Sequence, residues 1–137
     1  MGRTVLVGGC FDLLHKGHIT FLKKAKGVGK LIVLLESDEK IRKLKGEDRP
    51  SQTPSTRARV LMNSGFVDQI ISLPYLESEK DYDEIIKKIK PDVIAITAGY
   101  PIRYHKRSAG LVGAKLKVVS KIVGNYSTSR LINRKVI

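Results

Sequence analysis

Short apolar runs, separated by segments of helical spacing, constrain this chain most. Leu31–Leu35 (LIVLL) and Val93–Thr97 (VIAIT) lack the polar alternation of a strand with one wet face. A continuous run of this length belongs to a strand covered on both sides. Arg3–Gly8 (RTVLVG), Val67–Leu73 and Leu116–Val119 read as three further strands. Between them, Gly17–Lys26 carries Ile19, Leu22 and Ala25 at helical spacing, with Phe21 beside them. Asp38 caps a short helix reaching toward Leu44, and Ser55–Ser64, Tyr82–Ile89 and Ser127–Arg134 read as helices. Lys45–Pro54 is polar, holds two prolines and reads as a loop. Pro101–Gly113 reads as loop with a helical turn. Strands alternating with helices predict an α/β chain, a doubly wound sandwich around a five-stranded parallel sheet. With 137 residues there is room for one domain, 1–137, and not for two.

Composition narrows the class. Hydrophobic residues make up 42%, too many for wholesale disorder. The longest uninterrupted apolar run is Leu31–Leu35, whereas a membrane span needs about 20 residues. No apolar stretch of signal-peptide length opens the chain. One cysteine, Cys10, excludes an intrachain disulfide and a Cys-rich zinc site. A soluble cytoplasmic protein is expected. The net charge of +13 is spread unevenly: residues 101–137 carry nine Lys/Arg and no acid, while five acids cluster between Glu77 and Glu84. Such a surplus suits anionic partners, either phosphorylated metabolites or nucleic acid. It also suits a solvated lysine-rich surface. Aromatics at 6% and the lack of a known nucleic-acid-binding motif weigh against nucleic acid.

Doubly wound sheets bind ligands beyond the carboxyl ends of their strands. The first strand is followed by Gly9-Cys10-Phe11-Asp12-Leu13-Leu14-His15-Lys16-Gly17-His18. Glycine lets backbone approach a ligand. His15 and His18 stand three apart where a helix begins, and a helix N-terminus offers unpaired N–H groups and a positive dipole end to phosphate. Zinc is a second reading of the two histidines, with Cys10 and His105 as the only other soft ligands; a purely structural role is a third. The turn is neither a P-loop nor a G-x-G-x-x-G fingerprint, and Gly29-Lys30 is followed by Leu31 where a P-loop needs Ser or Thr.

GCFDLLHKGH resembles the G-x-F-D-x-x-H-x-G-H signature of the cytidylyltransferase-like nucleotidyltransferases. Tyr126-Ser127-Thr128-Ser129-Arg130 is similar to the segment opening that family's last helix, so the resemblance spans nearly the whole chain. Ser37-Asp38, Leu44-Lys45-Gly46, Arg49-Pro50, Arg57-Ala58 and Val60-Leu61 look like the pattern of the adenylyltransferase domain in ADP-heptose synthesis enzymes. Glycerol-3-phosphate cytidylyltransferases and archaeal FAD synthetases share the first motif. The chain departs from the family after the fourth strand. There Ala98-Gly99-Tyr100-Pro101 stands where members carry Gly followed by Asp, and the basic run Arg103–Arg107 follows.

The resemblance implies a Rossmann-like fold. It implies transfer of a nucleotidyl group, AMP before CMP, from ATP or CTP to a small phosphorylated acceptor such as a sugar phosphate, with release of pyrophosphate. It makes His15, His18, Lys45 and Arg57 the catalytic set. Gly9, Cys10, Phe11, His15, His18, Gly99, Tyr126, Ser127, Thr128 and Arg130 become the nucleotide-binding set. Lys45 and Arg57 are expected to neutralise pyrophosphate or the acceptor. Cys10 reads as a small residue lending its backbone, and Asp12 as a cap of the tight turn or a water-mediated partner. No side chain is expected to bind a metal directly; Mg2+ is expected on the phosphates. Relatives are often homodimers. A basic nucleic-acid-binding protein and a family member that binds nucleotide without turnover are the competing classes.

Overall fold

The computed structural model describes residues 2–97 and 102–120, with 102–104 as backbone alone. The expected final helix and residues 98–101 lie outside the described residues. Strands β1 (Thr4–Gly9), β2 (Lys30–Leu35), β3 (Gln69–Ser72), β4 (Val93–Thr97) and β5 (Lys115–Ser120) form one parallel sheet in the order β3-β2-β1-β4-β5. Helices α1 (Lys16–Lys26), α2 (Asp38–Lys45), α3 (Pro54–Asn63), α4 (Glu79–Ile89) and α5 (Ile102–Val112) connect them. The sheet is the doubly wound one that the apolar runs imply.

Strand periodicity sorts the core into two layers. Val5, Val7, Leu31, Val33, Leu35, Val93 and Ala95 face one side, where Phe21, Leu22 and Ala25 of α1 and Leu61 of α3 cover them. Leu6, Ile32, Leu34, Ile94 and Ile96 face the other, beneath Ile86 of α4 and Ala109 of α5. Because both faces are dry, neither could alternate with polar residues, which is why the runs are continuous.

The registers place the ligand crevice. β1 pairs with β2 from Thr4 to Gly9, but with β4 only at Val5 and Leu6. Beyond Leu6 the two central strands lose their ladder contact. This is also where the strand order reverses, the place where sheets of this kind take ligands.

Three local readings need correction. The sequence predicts loop with a helical turn over Pro101–Gly113, and the structure has an eleven-residue helix over Ile102–Val112. Its buried stripe is half-buried His105, then Ser108, Ala109 and Val112, and only two of these are apolar. The helical period is therefore concealed by small and polar residues. Helix α2 is capped by Ser37, whose Oγ accepts the Lys40 N–H at 3.1 Å, and Asp38 is its first residue. Helix α3 begins at Pro54 behind a Thr53 cap, where a fixed φ and a missing N–H cost nothing.

Candidate active site

The β1–α1 turn is wound tightly. Phe11 and Leu13 take left-handed φ values of 45° and 61°, a conformation costing non-glycine residues roughly 1 kcal/mol or more each. Asp12 between them holds the turn. It is 1% exposed, and its Oδ2 accepts from Arg49 Nε at 2.9 Å and Ser51 N at 2.7 Å. Its Oδ1 accepts from Gln52 N at 3.0 Å, and Gln52 Oε1 accepts the Leu13 N–H at 3.2 Å in return. The turn and the 49–52 loop thus brace each other. Gly9 is required here, because a Cβ would stand 2.9 Å from the Phe11 ring. That ring in turn lies 5.5 Å from the His18 ring.

The two histidines cap the helix they open. His15 Nδ1 accepts the Gly17 N–H at 3.1 Å, and His18 Nδ1 accepts the His15 N–H at 3.3 Å. The rings stack at 3.8 Å. Burial, the neighbouring His15 and the Lys45 ammonium push His18 down to about 3. Burial and Lys45 also lower His15. Both imidazoles are therefore neutral at neutral pH. With Nδ1 accepting, the neutral ring carries its proton on Nε2 and donates from there. No acid occupies the first turn of α1, so nothing offsets its positive dipole end.

Gly9, Cys10, Phe11, His15, His18 and Lys45 line one cleft of about 760 Å3, a volume suited to a nucleotide-sized ligand. Arg57 is placed differently from expectation. It is 0% exposed beneath the cleft, donating through Nη1 to the carbonyls of Cys10 and Glu36, each at 2.9 Å. Its Nη2 bonds Asp38 Oδ1 at 2.8 Å. A guanidinium with no accessible surface does not neutralise a phosphate directly; Arg57 ties two cleft-lining segments together. Gly99, Tyr126, Ser127, Thr128 and Arg130 lie outside the described residues.

Sequence reasoning passed over Glu36, Lys40 and Tyr82, which also line the cleft, as does His105, weighed there only as a zinc ligand. Glu36 could have been found, since it directly follows β2 and strand ends are where such sheets bind. Tyr82 arrives from α4, 46 residues further on, and only the fold brings it to Glu36. Among the described residues no group of three or more His, Cys, Asp or Glu side chains stands ready for a metal ion. Asp12 is spent on three donors.

A parallel sheet opening at its switch point onto a histidine-capped helix N-terminus makes this an α/β domain with its cleft where such sheets take ligands. A family model described as cytidylyltransferase-like matches residues 6–134, and the chain belongs to this family of nucleotidyltransferases. The bifunctional protein HldE of Koribacter versatilis is 37% identical over 141 residues, covering 96% of this chain and 27% of its own. The HldE of Campylobacter curvus is 36% identical over 133 residues, with the same coverages. The chain thus spans about a quarter of the length of these curated relatives. The lipopolysaccharide core biosynthesis protein of Thermoplasma volcanium superposes with a TM-score of 0.68. It is 25% identical, over 91% of this chain and 98% of that one. Pantothenate synthetase of Thermus thermophilus, 14% identical with a TM-score of 0.63 over 95% of this chain and 61% of that one, shares the fold. Among the described residues no helix is long and apolar enough to cross a membrane.

Proposed function

We propose that this chain, as a single domain over 1–137, transfers AMP, in preference to CMP, from a nucleoside triphosphate to a phosphorylated sugar. The observation that carries the reading is the pair of neutral, backbone-locked imidazoles that cap the helix N-terminus at the cleft. An acceptor phosphate oxygen attacks the α-phosphorus, a new P–O bond forms, and the bond to pyrophosphate breaks. The acceptor is already anionic near neutral pH, so no protein base or nucleophile is needed. The chain's part is position and charge. His15 and His18 donate from Nε2 to the phosphates, with His18 at the transferred group. Lys45 adds a full charge beside them. The expected hold of Ser127, Thr128 and Arg130 on the β- and γ-phosphates belongs to the same reading. Mg2+, when bound, would ride on the phosphates and spread their charge.

The preference for AMP and a sugar phosphate rests on the pattern through Ser37-Asp38, Leu44-Lys45-Gly46 and Arg49-Pro50 and on the similarity to HldE. A cytoplasmic location and a homodimer complete the reading. The test is pyrophosphate release with Mg2+, pairing ATP and CTP each with heptose 1-phosphate, glycerol 3-phosphate and FMN. ATP with heptose 1-phosphate should react, and His18→Ala should lower kcat by about 10²-fold or more. Release only with CTP and glycerol 3-phosphate, or only with FMN, would replace the substrate assignment. Nucleotide binding without release from any pair would make the protein a non-catalytic nucleotide binder. A steep salt-dependent shift of RNA without nucleotide binding would move it to the nucleic-acid-binding class.

A further inference from the structure

The cleft sorts its chemistry by end. On the β1–α1 side it presents His15 and His18, with Lys45 reaching them from the end of α2, all suited to phosphate. On the β2 side it presents a carboxylate. Ile32, Leu34 and Glu36 share one face by the two-residue period of a strand, and Ile32 and Leu34 belong to the core under α4 and α5. Glu36 therefore emerges at the top of that core, where Leu34, Leu73 and Ile86 line the cleft.

Glu36 is half-buried, and among the described residues its carboxylate has one hydrogen-bond partner. The Tyr82 hydroxyl lies 3.0 Å from each of its oxygens, so one proton serves both. An ionised carboxylate has about four acceptor sites. Lys40, also at the cleft, lies over the rings of Tyr75 and Tyr82 at 5.2 and 5.5 Å. A carboxylate repels phosphate and accepts hydrogen bonds from hydroxyl groups. The apolar floor beside it suits the C–H face of a sugar ring.

We propose that Glu36, oriented by Tyr82, reads a pair of hydroxyl groups on the acceptor and restricts it to phosphorylated sugars that carry them. This rests on the nucleotidyl transfer proposed above. The nucleotide's ribose offers the same pair of hydroxyls. Position favours the acceptor: the expected nucleotide contacts follow β1, β4 and β5, whereas Glu36 follows β2 on the opposite flank of β1.

The experiment measures KM for the sugar phosphate and for the nucleotide separately, in wild type, Glu36→Gln and Tyr82→Phe. It adds a deoxy acceptor lacking one hydroxyl. Glu36→Gln keeps the shape and still accepts from Tyr82, and thermal unfolding checks that it folds. The acceptor KM should rise about tenfold or more in Glu36→Gln, while the nucleotide KM stays within about twofold. Tyr82→Phe, which removes the hydroxyl that orients the carboxylate, should raise the acceptor KM about threefold. The deoxy acceptor should already bind poorly to wild type and lose little more in Glu36→Gln, as one shared interaction requires. An unmoved acceptor KM, or a rise in the nucleotide KM instead, overturns the proposal and leaves the transfer reaction standing. If wild type turns over no phosphorylated sugar, the transfer reading fails and this proposal falls with it. Should Glu36→Gln not fold, equal wild-type KM values for the deoxy and parent acceptors overturn the proposal alone.

Discussion

The two walls of the cleft are built on different principles. The β1–α1 wall is locked. Its turn contains two left-handed residues, its aspartate is held by three donors, and both imidazoles are fixed by backbone N–H groups. The β2–α4 wall is spare. Among the described residues its carboxylate takes a single donated proton, and Lys40 rests over tyrosine rings rather than in a tight ion pair. Phosphate geometry is the same whatever is transferred, so its wall gains from preorganisation. Acceptors differ in their hydroxyls, so the wall that reads them can hold unspent hydrogen-bonding capacity.

Removing Arg57 should break the comparison outright, because this side chain joins both walls. It donates to the Cys10 carbonyl on one and the Glu36 carbonyl on the other. Arg57→Ala leaves two carbonyls short of a donor and opens a void where no surface was exposed. A loss of about 2–4 kcal/mol in urea unfolding is expected. In the folded fraction, KM for both substrates should rise. Arg57→Lys keeps a charge but not the fork, and should fall between. A variant with wild-type stability and a defect in one substrate alone would show that the walls are independent.

Acid should strain the locked wall. The unfolded chain takes up a proton on each histidine below about pH 6.5, whereas folding holds His18 down to about 3 and lowers His15 as well. Between those values the unfolded state binds more protons, so stability falls as pH falls. The histidine contribution is complete above about pH 7. Going from pH 7 to pH 5 should cost the ligand-free protein about 2 kcal/mol through His18. His18→Asn keeps an acceptor for the His15 N–H and should flatten the profile. Inorganic triphosphate, by favouring charged imidazole, should flatten it in wild type too. A wild-type profile already flat in this window would mean that the wall is wetter than its geometry implies.

Much of the first wall could be read from the chain, and little of the second. The segment from Gly9 to His18 carries its geometry in consecutive residues, because one turn and one helix end assemble it. The strands were legible because burial on both faces leaves unbroken apolar runs. Arg57 was found as important, but its depth was not, since burial of a charge depends on the carbonyls of two distant strand ends. Glu36 and Tyr82 meet only because α4 packs over β2, a tertiary fact without local pattern. Helix α5 was missed for a related reason: its inner face is built from Ser108 and Ala109 as much as from larger apolar residues.

Cys10 supplies the smallest effect and the sharpest statement about the locked wall. It sits between Gly9 and Phe11 at the cleft, in the place a nucleophile would take. Burial raises its thiol above the ordinary range, and the opposing pull of Lys45 is the lesser influence. A protonated thiol is a poor nucleophile at neutral pH, and transfer between two phosphates needs none. What the turn uses at this position is backbone: the Cys10 carbonyl accepts from Arg57. Serine has nearly the same size and leaves that carbonyl in place. Cys10→Ser should therefore keep kcat/KM within about threefold of wild type, a change below roughly 0.7 kcal/mol. Complete loss of pyrophosphate release, with folding and nucleotide binding intact, would mean that the sulfur takes part and that the locked wall does chemistry as well as positioning.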